Sequence, residues 1–217
     1  MKRCLFVFVG ILLMLSANAQ TNTQKVFVLD EFEEGKALYV KDNQATEGKF
    51  NYETIMEMML FITPDSAVYE LARPDIVSHV IIGSRIFEHI NKSMFYERIN
   101  VNNGSFYVRW KSKVISKKEG PYGSTAETVR IDDVSQLISS RSVYDLKSAE
   151  KIKVEANNYY YIKQKDKFKQ FDSFNSLAKL FKKQEKEIKA FVKDNDLNFR
   201  KLDDVKKVVE YAFGLNK

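Results

Sequence analysis

The spacing of apolar residues changes near residue 172, and this change constrains the fold more than any other feature of the sequence. From Val26 to about Lys118, short β-branched and aromatic runs alternate with turn residues, which is typical of β-strands. From Phe174 onward, apolar residues recur at intervals of three and four, which is typical of amphipathic helices. The chain is therefore predicted to have a β-rich body followed by helices.

The clearest local signal in the body is Asn103-Gly104, a pair that readily takes the positive φ angles of a tight hairpin. Strands are predicted on both sides of it, over Met94–Val101 and Ser105–Ile115. Further strands are predicted over Lys36–Lys41, Glu47–Tyr52, Met56–Ile62, Ala67–Leu71, Val77–Ile82, Ile86–Ile90, Ser142–Leu146, Tyr159–Gln164 and Lys167–Phe171.

The strand after this hairpin turn alternates in a way that assigns its two faces. Successive side chains of a strand point to opposite faces, so Phe106, Val108 and Trp110 are predicted to lie in the core. Tyr107 and Arg109 are then predicted to lie on the outer face. Short turns between consecutive strands favour an antiparallel meander, closed as a barrel-like roll or packed as a sandwich.

The C-terminal segment is predicted to form about three short amphipathic helices. The first begins at Phe174 behind a cap at Asp172 or Ser173. The second covers roughly Lys183–Asp194 and the third roughly Leu202–Phe213. The predicted fold class is α+β, with a β-rich domain over residues 20–171 and a helical segment over 172–217. A polar, turn-rich stretch near 116–142 is predicted to be a long surface loop.

The first 19 residues have the layout of a cleavable secretion signal, with a basic start, an apolar run over Leu5–Leu15 and small residues at Ala17 and Ala19. The apolar run is too short to span a bilayer, so the protein is predicted to be exported to the periplasm or the exterior and not to be transmembrane. Removal of 19 of the 217 residues leaves 198 and takes away Cys4, the only cysteine. The mature chain then has no disulfide and no catalytic thiol.

Basic residues are concentrated at the C-terminal end. The full chain has a formal net charge of +6, and residues 163–217 hold 15 Lys and Arg against 9 Asp and Glu. This excess favours contact between the C-terminal helices and an anionic surface, although lysines can also serve only to solubilise exposed helix faces. Nucleic acid is not an expected partner of an exported protein.

Familiar catalytic signatures are missing from the sequence. His79 and His89 lie on separate predicted strands and belong to no zinc-protease motif. Ser176–Lys179 has the Ser-x-x-Lys spacing of a serine acylase, but the companion motifs are absent. The sequence therefore predicts a non-enzymatic binding or interaction module of the cell envelope, without a metal or another cofactor. The alternative is a hydrolase whose site is assembled only in three dimensions around His79 or His89.

Exposed aromatic and basic side chains are the remaining candidates for a binding site. Tyr107, Arg109, Tyr122 and Tyr160 are the predicted binding residues, on the outer sheet face and in the polar loop. An envelope protein, a peptide or a glycan is the expected partner. The other interpretation is that these tyrosines only cover the sheet and its junction with the helices.

Several phrases of the sequence carry a likeness to known proteins: Val80–Phe87, Tyr107–Lys113, Tyr122–Ser124, Leu180-Phe181, Ile188–Val192 and Asn198-Phe199. Together they resemble a family of exported Bacteroidetes proteins with no assigned activity. The likeness covers most of the mature chain and implies compartment and architecture, but it supplies no site residues. Asp65-Ser66-Ala67 is also similar to a short O-glycosylation sequon of that bacterial group, which makes Ser66 a candidate modification site.

Overall fold

A computed structural model describes residues 26–41, 44–119, 125–128 and 152–215. The strands are β1 (Glu33–Tyr39), β2 (Ala45–Glu53), β3 (Met58–Ile62), β4 (Val68–Glu70), β5 (Val77–Ile82), β6 (Arg85–Asn91), β7 (Met94–Val101), β8 (Gly104–Arg109), β9 (Ser112–Glu119), β10 (Thr125–Thr128), β11 (Ile152–Ala156), β12 (Tyr159–Gln164) and β13 (Lys167–Phe171). A 3₁₀ helix (Pro74–Ile76) precedes β5, and the α-helices are α1 (Phe174–Leu180), α2 (Glu185–Asp194) and α3 (Leu202–Gly214).

A ten-stranded antiparallel sheet forms most of the molecule, in the order β13-β12-β8-β7-β6-β5-β1-β2-β3-β4. Neighbours in this order are also neighbours along the chain, except where β1 pairs with β5 and β12 pairs with β8. The predicted α+β class and antiparallel meander are confirmed. The sheet does not close into a barrel, because β13 and β4 remain its two edges.

The predicted hairpin is present, but its turn lies one residue earlier than Asn103-Gly104. Val101 lies opposite Gly104, so the turn residues are Asn102 and Asn103, and Asn103 has a φ angle of 66°. A second tight turn joins β12 to β13, where Lys165 and Asp166 also have positive φ angles of 47° and 62°. Lys165 and Asp166 thus both take the positive φ angles of a two-residue hairpin, whereas in the β7–β8 turn only Asn103 does. These two turns lie at the same end of the β8–β12 pair, because Tyr107 lies opposite Tyr161.

The predicted strand Ser105–Ile115 is not continuous. It is interrupted at Trp110-Lys111, after which β9 leaves the large sheet and joins a three-stranded sheet with β10 and β11. Groups from distant parts of the chain stabilise the point where the chain passes from the large sheet to the small one. Asn158 Oδ1 accepts a hydrogen bond from the Lys111 amide at 3.1 Å, and the Thr54 carbonyl accepts one from the Ser112 amide at 2.9 Å. The sequence pattern carries no sign of these non-local partners.

The predicted loop over 116–142 is partly wrong. Residues 116–119 belong to β9, and Thr125–Thr128 forms β10, which pairs with them in antiparallel register. Tyr122 and the predicted strand Ser142–Leu146 lie outside the described residues.

One face of the large sheet carries both main core clusters. Phe87, Glu97 and Val108 are direct cross-strand neighbours and therefore lie on that face. One cluster is built around Phe50, Tyr52, Met59, Val80, Ile82, Phe87 and Phe95, and the other joins Phe106, Val108, Tyr160, Ile162 and Phe171 to helical residues. Trp110 contacts both clusters, and its Nε1 donates a 2.6 Å hydrogen bond to Glu97, which is also paired with Arg85.

The predicted helices are confirmed, and they cover the second cluster. Ser173 caps α1 by accepting a hydrogen bond from the Ser176 amide, while Ser176 Oγ accepts one from the Ser173 amide. Ser176 is therefore a helix-start residue. The buried helical side chains include Leu177, Ala178, Ile188, Val205, Val208, Val209 and Ala212. Within the described parts of the chain, none of the helices combines the length and apolar character needed to cross a membrane.

Candidate functional site

Two of the predicted binding tyrosines lie in the interior. The exposed fraction is 4% for Tyr107 and 6% for Tyr160, so the prediction that they are exposed is wrong. Tyr160 lies under the helices, where its ring stacks on Phe171 at 5.7 Å and meets the edge of Phe199 at 5.3 Å. Burial raises the pKa of Tyr160 above its ordinary value.

Tyr107 is buried on the other face of the sheet because that face is also covered. Tyr96, Tyr107 and Tyr161 from three adjacent strands form a cluster with Phe168 of β13. The Tyr107 and Phe168 rings meet edge to face at 4.9 Å, and the Tyr96 and Tyr161 rings stack at 5.0 Å. The alternation of residues in β8 identified the correct faces, but it did not reveal that aromatic rings from neighbouring strands cover the outer one.

Arg109 is paired inside the molecule. Its Nη2 donates to Glu57 Oε2 at 2.7 Å, and Lys111 Nζ donates to the same oxygen at 3.0 Å. Although burial of Glu57 opposes the effect, hydrogen bonds from Arg109 and Lys111 lower the pKa of that carboxyl group. The Arg109 guanidinium also lies 5.5 Å from the Tyr159 ring centroid. These contacts occupy Arg109, so the structure does not present it as a free binding group.

Glu57 belongs to the β2–β3 tip, defined here as residues 53–57, which lies against the ends of β8 and β9. Thr54 Oγ1 donates to Ser112 Oγ at 2.8 Å, and Glu53 is completely buried in the same tip. Glu53 accepts two 2.7 Å hydrogen bonds, from the amides of Ile55 and Met56. Burial, opposed by these two bonds, raises the pKa of Glu53 to about 7.

The histidines do not converge with catalytic partners. His79 Nδ1 lies 3.0 Å from Ser78 Oγ, whose other contact is a hydrogen bond to the Leu38 carbonyl. The residue opposite His79 is Glu88, but the Glu88 carboxylate is paired with Arg98 at 2.7 Å. His89 Nε2 contacts the Lys92 carbonyl at 2.8 Å. Within the described ranges, neither imidazole makes a hydrogen bond to a carboxylate, which is the contact that the hydrolase alternative needs.

An open depression of about 450 Å³ lies between the β7–β8 and β12–β13 turns. Its lining includes two lysines, an aspartate, a serine and two aromatic residues. Of the predicted binding residues that the structure describes, Tyr107 alone contributes to it. The lining residues are Gly104, Ser105, Tyr107, Lys163, Lys165, Asp166 and Phe213.

Phe213 of α3 is held firmly against the β7–β8 turn. A Cβ atom placed on Gly104 would lie 2.9 Å from three atoms of the Phe213 ring, so only glycine permits this approach. The ring also meets Phe181 edge to face at 5.5 Å. The aromatic part of the depression therefore has a fixed position.

The lysines of the depression have weak partners or none. Lys163 Nζ lies 3.8 Å from Asp166 Oδ1, and the side chain of Asp166 is 97% exposed. An ion pair so exposed contributes little. Lys165 makes neither a hydrogen bond nor an ion pair with any residue that the structure describes. Both ammonium groups are therefore available to a ligand.

More lysines lie at this end of the molecule. Gln164 Nε2 donates to the Leu180 carbonyl at 3.4 Å, and Gln184 Nε2 donates to the Leu215 carbonyl at 3.5 Å. These contacts place the α1–α2 turn and the C-terminal end of α3 beside the β12–β13 turn. The resulting lysine-rich end contains Lys163, Lys165, Lys167, Lys182 and Lys183, all exposed.

The sequence shows the basic excess but does not reveal this site. Its pattern predicts that the C-terminal helices present the basic surface, whereas three of the five lysines lie on the β12–β13 hairpin. In the sequence, Phe213 is only the last residue of a predicted helix. The signal that could have pointed to the site is the alternation of Lys163, Lys165 and Lys167 around a predicted turn.

Ser66, the candidate modification residue, is exposed in the turn between β3 and β4 and has a φ angle of 65°. Its amide donates a 2.8 Å hydrogen bond to the Thr63 carbonyl, which fixes the turn. The side chain is therefore accessible, as predicted.

Comparisons with known proteins give no match: no family model fits the chain, and neither a curated protein nor a solved structure is significantly similar to it. The likeness to exported Bacteroidetes proteins stays a prediction, and the function must be argued from the geometry of the chain itself.

Proposed function

We propose that the protein is an exported, non-enzymatic binding module of the cell envelope, and that the depression at the lysine-rich end is its ligand site. The observation that carries this proposal is that exposed lysines with weak partners or none and a fixed aromatic ring line the same open depression. Concave surfaces with a few convergent polar groups are the usual form of ligand sites.

The way in which the other charged groups are paired supports this choice of site. The buried carboxylates Glu57 and Glu97 each have cationic partners within the fold, at distances of 3.0 Å or less. Their partners Arg109, Lys111 and Arg85 are thereby engaged in holding strands together. Lys163 and Lys165 form no comparable buried ion pair with the described residues, so their charges are available to bind a group on another molecule.

The proposal that the protein is exported is supported by the N-terminal sequence pattern, with Lys2 and Arg3 before an apolar run and small residues at Ala17 and Ala19. A binding site that faces the surroundings of the cell fits this compartment. It also limits the ligand to molecules present in the envelope or outside it.

The test is binding of the mature protein, residues 20–217, to a cell-envelope preparation washed free of loosely bound protein. The Lys163→Ala/Lys165→Ala variant is compared with wild type at low and at physiological ionic strength. We expect retention of the wild type at low salt, less retention at higher salt and a large loss in the variant. Equal retention of wild type and variant, or no retention of either, would refute the proposal.

The matched control is Lys92→Ala/Lys113→Ala, which removes the same charge from exposed lysines elsewhere. Lys92 lies in the β6–β7 turn, at the other end of β7, and Lys113 lies in β9, beyond the other end of β8. This control should bind like the wild type. A similar loss in the control would show that net charge, and not the depression, governs binding.

A further inference from the structure

We infer that the ligand of the depression is an acidic polysaccharide whose sugar rings carry carboxylates. This inference rests on the proposed function and narrows it to one class of ligand. It combines three properties of the lysine-rich end: a fixed aromatic ring, two lysines beside it with weak partners or none, and further exposed lysines on neighbouring elements.

The aromatic ring suits the apolar face of a pyranose. Phe213 is only partly buried, and the part of it that is not covered by Phe181 and Gly104 lines the depression. A ring that is already immobile loses little conformational entropy when a flat apolar surface packs on it. The depression is open and shallow, which allows a chain of sugars to pass across it.

The polar groups suit a carboxylate-bearing sugar. Lys163 and Lys165 can each pair with a carboxylate as point charges. Ser105 and the exposed carboxylate of Asp166 lie in the same lining and can hydrogen-bond to sugar hydroxyl groups. A neutral sugar would give neither lysine a carboxylate to bind, whereas a simple anion would not use the ring.

The number of lysines suits a polymer. Lys167 on the β12–β13 hairpin and Lys182 and Lys183 in the neighbouring α1–α2 turn are exposed, and none of them is paired with another described residue. Repeated charges on one chain can engage several of these lysines at once, so that weak individual contacts add to useful affinity.

A bilayer surface is a poorer fit. Membrane-surface segments combine lysines with exposed apolar side chains that enter the lipid. The large hydrophobic side chains that are most exposed in the described residues are Val40, Met56, Val68, Tyr69 and Ile76. All five belong to the part of the chain before β5, and none lies among the elements that form the lysine-rich end.

The experiment compares defined probes by titration of the mature protein. Polygalacturonate carries a carboxylate on every ring, and its fully methyl-esterified form has the same rings without charge. Polyglutamate has carboxylates without sugar rings, dextran has rings without charge, and vesicles of anionic phospholipid present charge on a membrane. We expect polygalacturonate to bind at least about tenfold more tightly than each of the other four, since only it supplies both ring and charge.

Two variants test the two halves of the contact. Lys163→Ala/Lys165→Ala should weaken polygalacturonate binding by about tenfold or more and reduce the salt dependence of the affinity, because fewer counterions are displaced. Phe213→Leu should weaken it by about threefold to tenfold without changing the salt dependence, since an apolar side chain is kept but the flat ring is lost. Lys92→Ala/Lys113→Ala should leave the affinity unchanged.

The outcomes separate this inference from the proposed function. Envelope binding that depends on Lys163 and Lys165, together with no preference for polygalacturonate over polyglutamate or anionic vesicles, overturns the acidic-polysaccharide inference and leaves the site in place. If the wild-type protein binds neither the envelope preparation nor any of the probes, the proposed function and the acidic-polysaccharide inference are both overturned. Binding of polygalacturonate that none of the variants changes also overturns the inference, because the contact would then lie elsewhere.

Discussion

At the β2–β3 tip the carboxyl groups are buried and hydrogen-bonded within the fold, whereas at the β12–β13 turn the charged side chains are exposed and only weakly paired. Glu57 in the tip has an exposed side-chain fraction of 9% and binds Arg109 and Lys111. In the β12–β13 turn the carboxylate of Asp166 is 97% exposed and its nearest ammonium group lies 3.8 Å away. The two turns belong to the same sheet, yet their charged groups differ in burial and in partners.

The difference indicates which charges hold the fold and which are available for binding. A buried ion pair is costly to break, because the remaining partner keeps an uncompensated charge in a poorly solvated place. An exposed pair contributes little to stability, so its loss is tolerated. Substitutions at the tip should therefore change the free energy of unfolding, and substitutions at the lysine-rich end should change ligand binding.

The largest effect is expected for Arg109→Ala. The substitution leaves Glu57 buried with Lys111 as its remaining cationic partner, so unfolding should be easier by about 3–5 kcal/mol. Urea unfolding followed by fluorescence can measure this, since Trp110 is the only tryptophan and contacts both core clusters.

A double-mutant cycle with Glu57→Gln sharpens this prediction. The double variant Arg109→Ala/Glu57→Gln should be less destabilised than the sum of the two single variants, because neutralising Glu57 removes the buried charge that Lys111 alone would otherwise have to compensate. Additive effects would mean that the pair is not coupled, and the contrast between the two turns would then lose its basis.

The next effect is a pH dependence that arises in the same tip. The ordinary pKa of a glutamate is 4.5, and burial raises the pKa of Glu53 to about 7 in the folded state. Between these values the folded protein holds a proton that the unfolded chain has lost. Stability from Glu53 is therefore fully present below pH 4.5 and is lost as the pH rises through 7, by at most about 3 kcal/mol.

Glu53→Gln isolates this contribution. Its amide can keep one carbonyl acceptor near the Ile55 and Met56 amides without carrying a charge. Unfolding free energies of wild type and variant should converge near pH 5, and the variant should be the more stable at pH 8. A constant difference between them over this range would show that Glu53 does not titrate in the folded protein.

A smaller effect is expected for Gly104→Ala. The new methyl group would collide with the Phe213 ring, which must shift, so stability should fall by about 1–3 kcal/mol. The same shift should weaken ligand binding at the depression. Gly48→Ala is a useful control, because a Cβ atom there would meet the Phe50 ring at 3.6 Å, an ordinary contact distance. If Gly104→Ala changed neither property, the ring would not be fixed as described.

Much of the fold was predictable because its signals are local. The strands Val77–Ile82, Met94–Val101, Tyr159–Gln164 and Lys167–Phe171 have the predicted bounds, since a turn or a period of two marks each of them. The third helix also begins at Leu202 as predicted. Turn chemistry and side-chain alternation act over a few residues, and a single sequence contains them.

The arrangement of these elements was not predictable in the same way. The pairing of β1 with β5 and of β8 with β12 joins segments far apart in the chain. The burial of Tyr107 depends on rings contributed by β7, β12 and β13, and the depression combines residues from two hairpins and a helix. Such sites arise from contacts between distant segments, and the spacing of apolar residues within one segment does not predict those contacts.

The smallest effect on stability is expected for Lys163→Ala/Lys165→Ala, which should change the free energy of unfolding by no more than about 0.5 kcal/mol. Urea unfolding beside the wild type checks this directly. A loss of several kcal/mol would mean that these lysines hold the fold, and the loss of binding in this variant could then not be assigned to the site.

The most direct test of the contrast between the two turns is a map of backbone amide shifts during titration of isotope-labelled mature protein with short polygalacturonate chains. We expect the largest changes at Ser105, Lys165 and Phe213, which line the depression, and little change at Glu53 and Glu57 in the β2–β3 tip. Changes centred on the tip, or spread evenly over the surface, would contradict it.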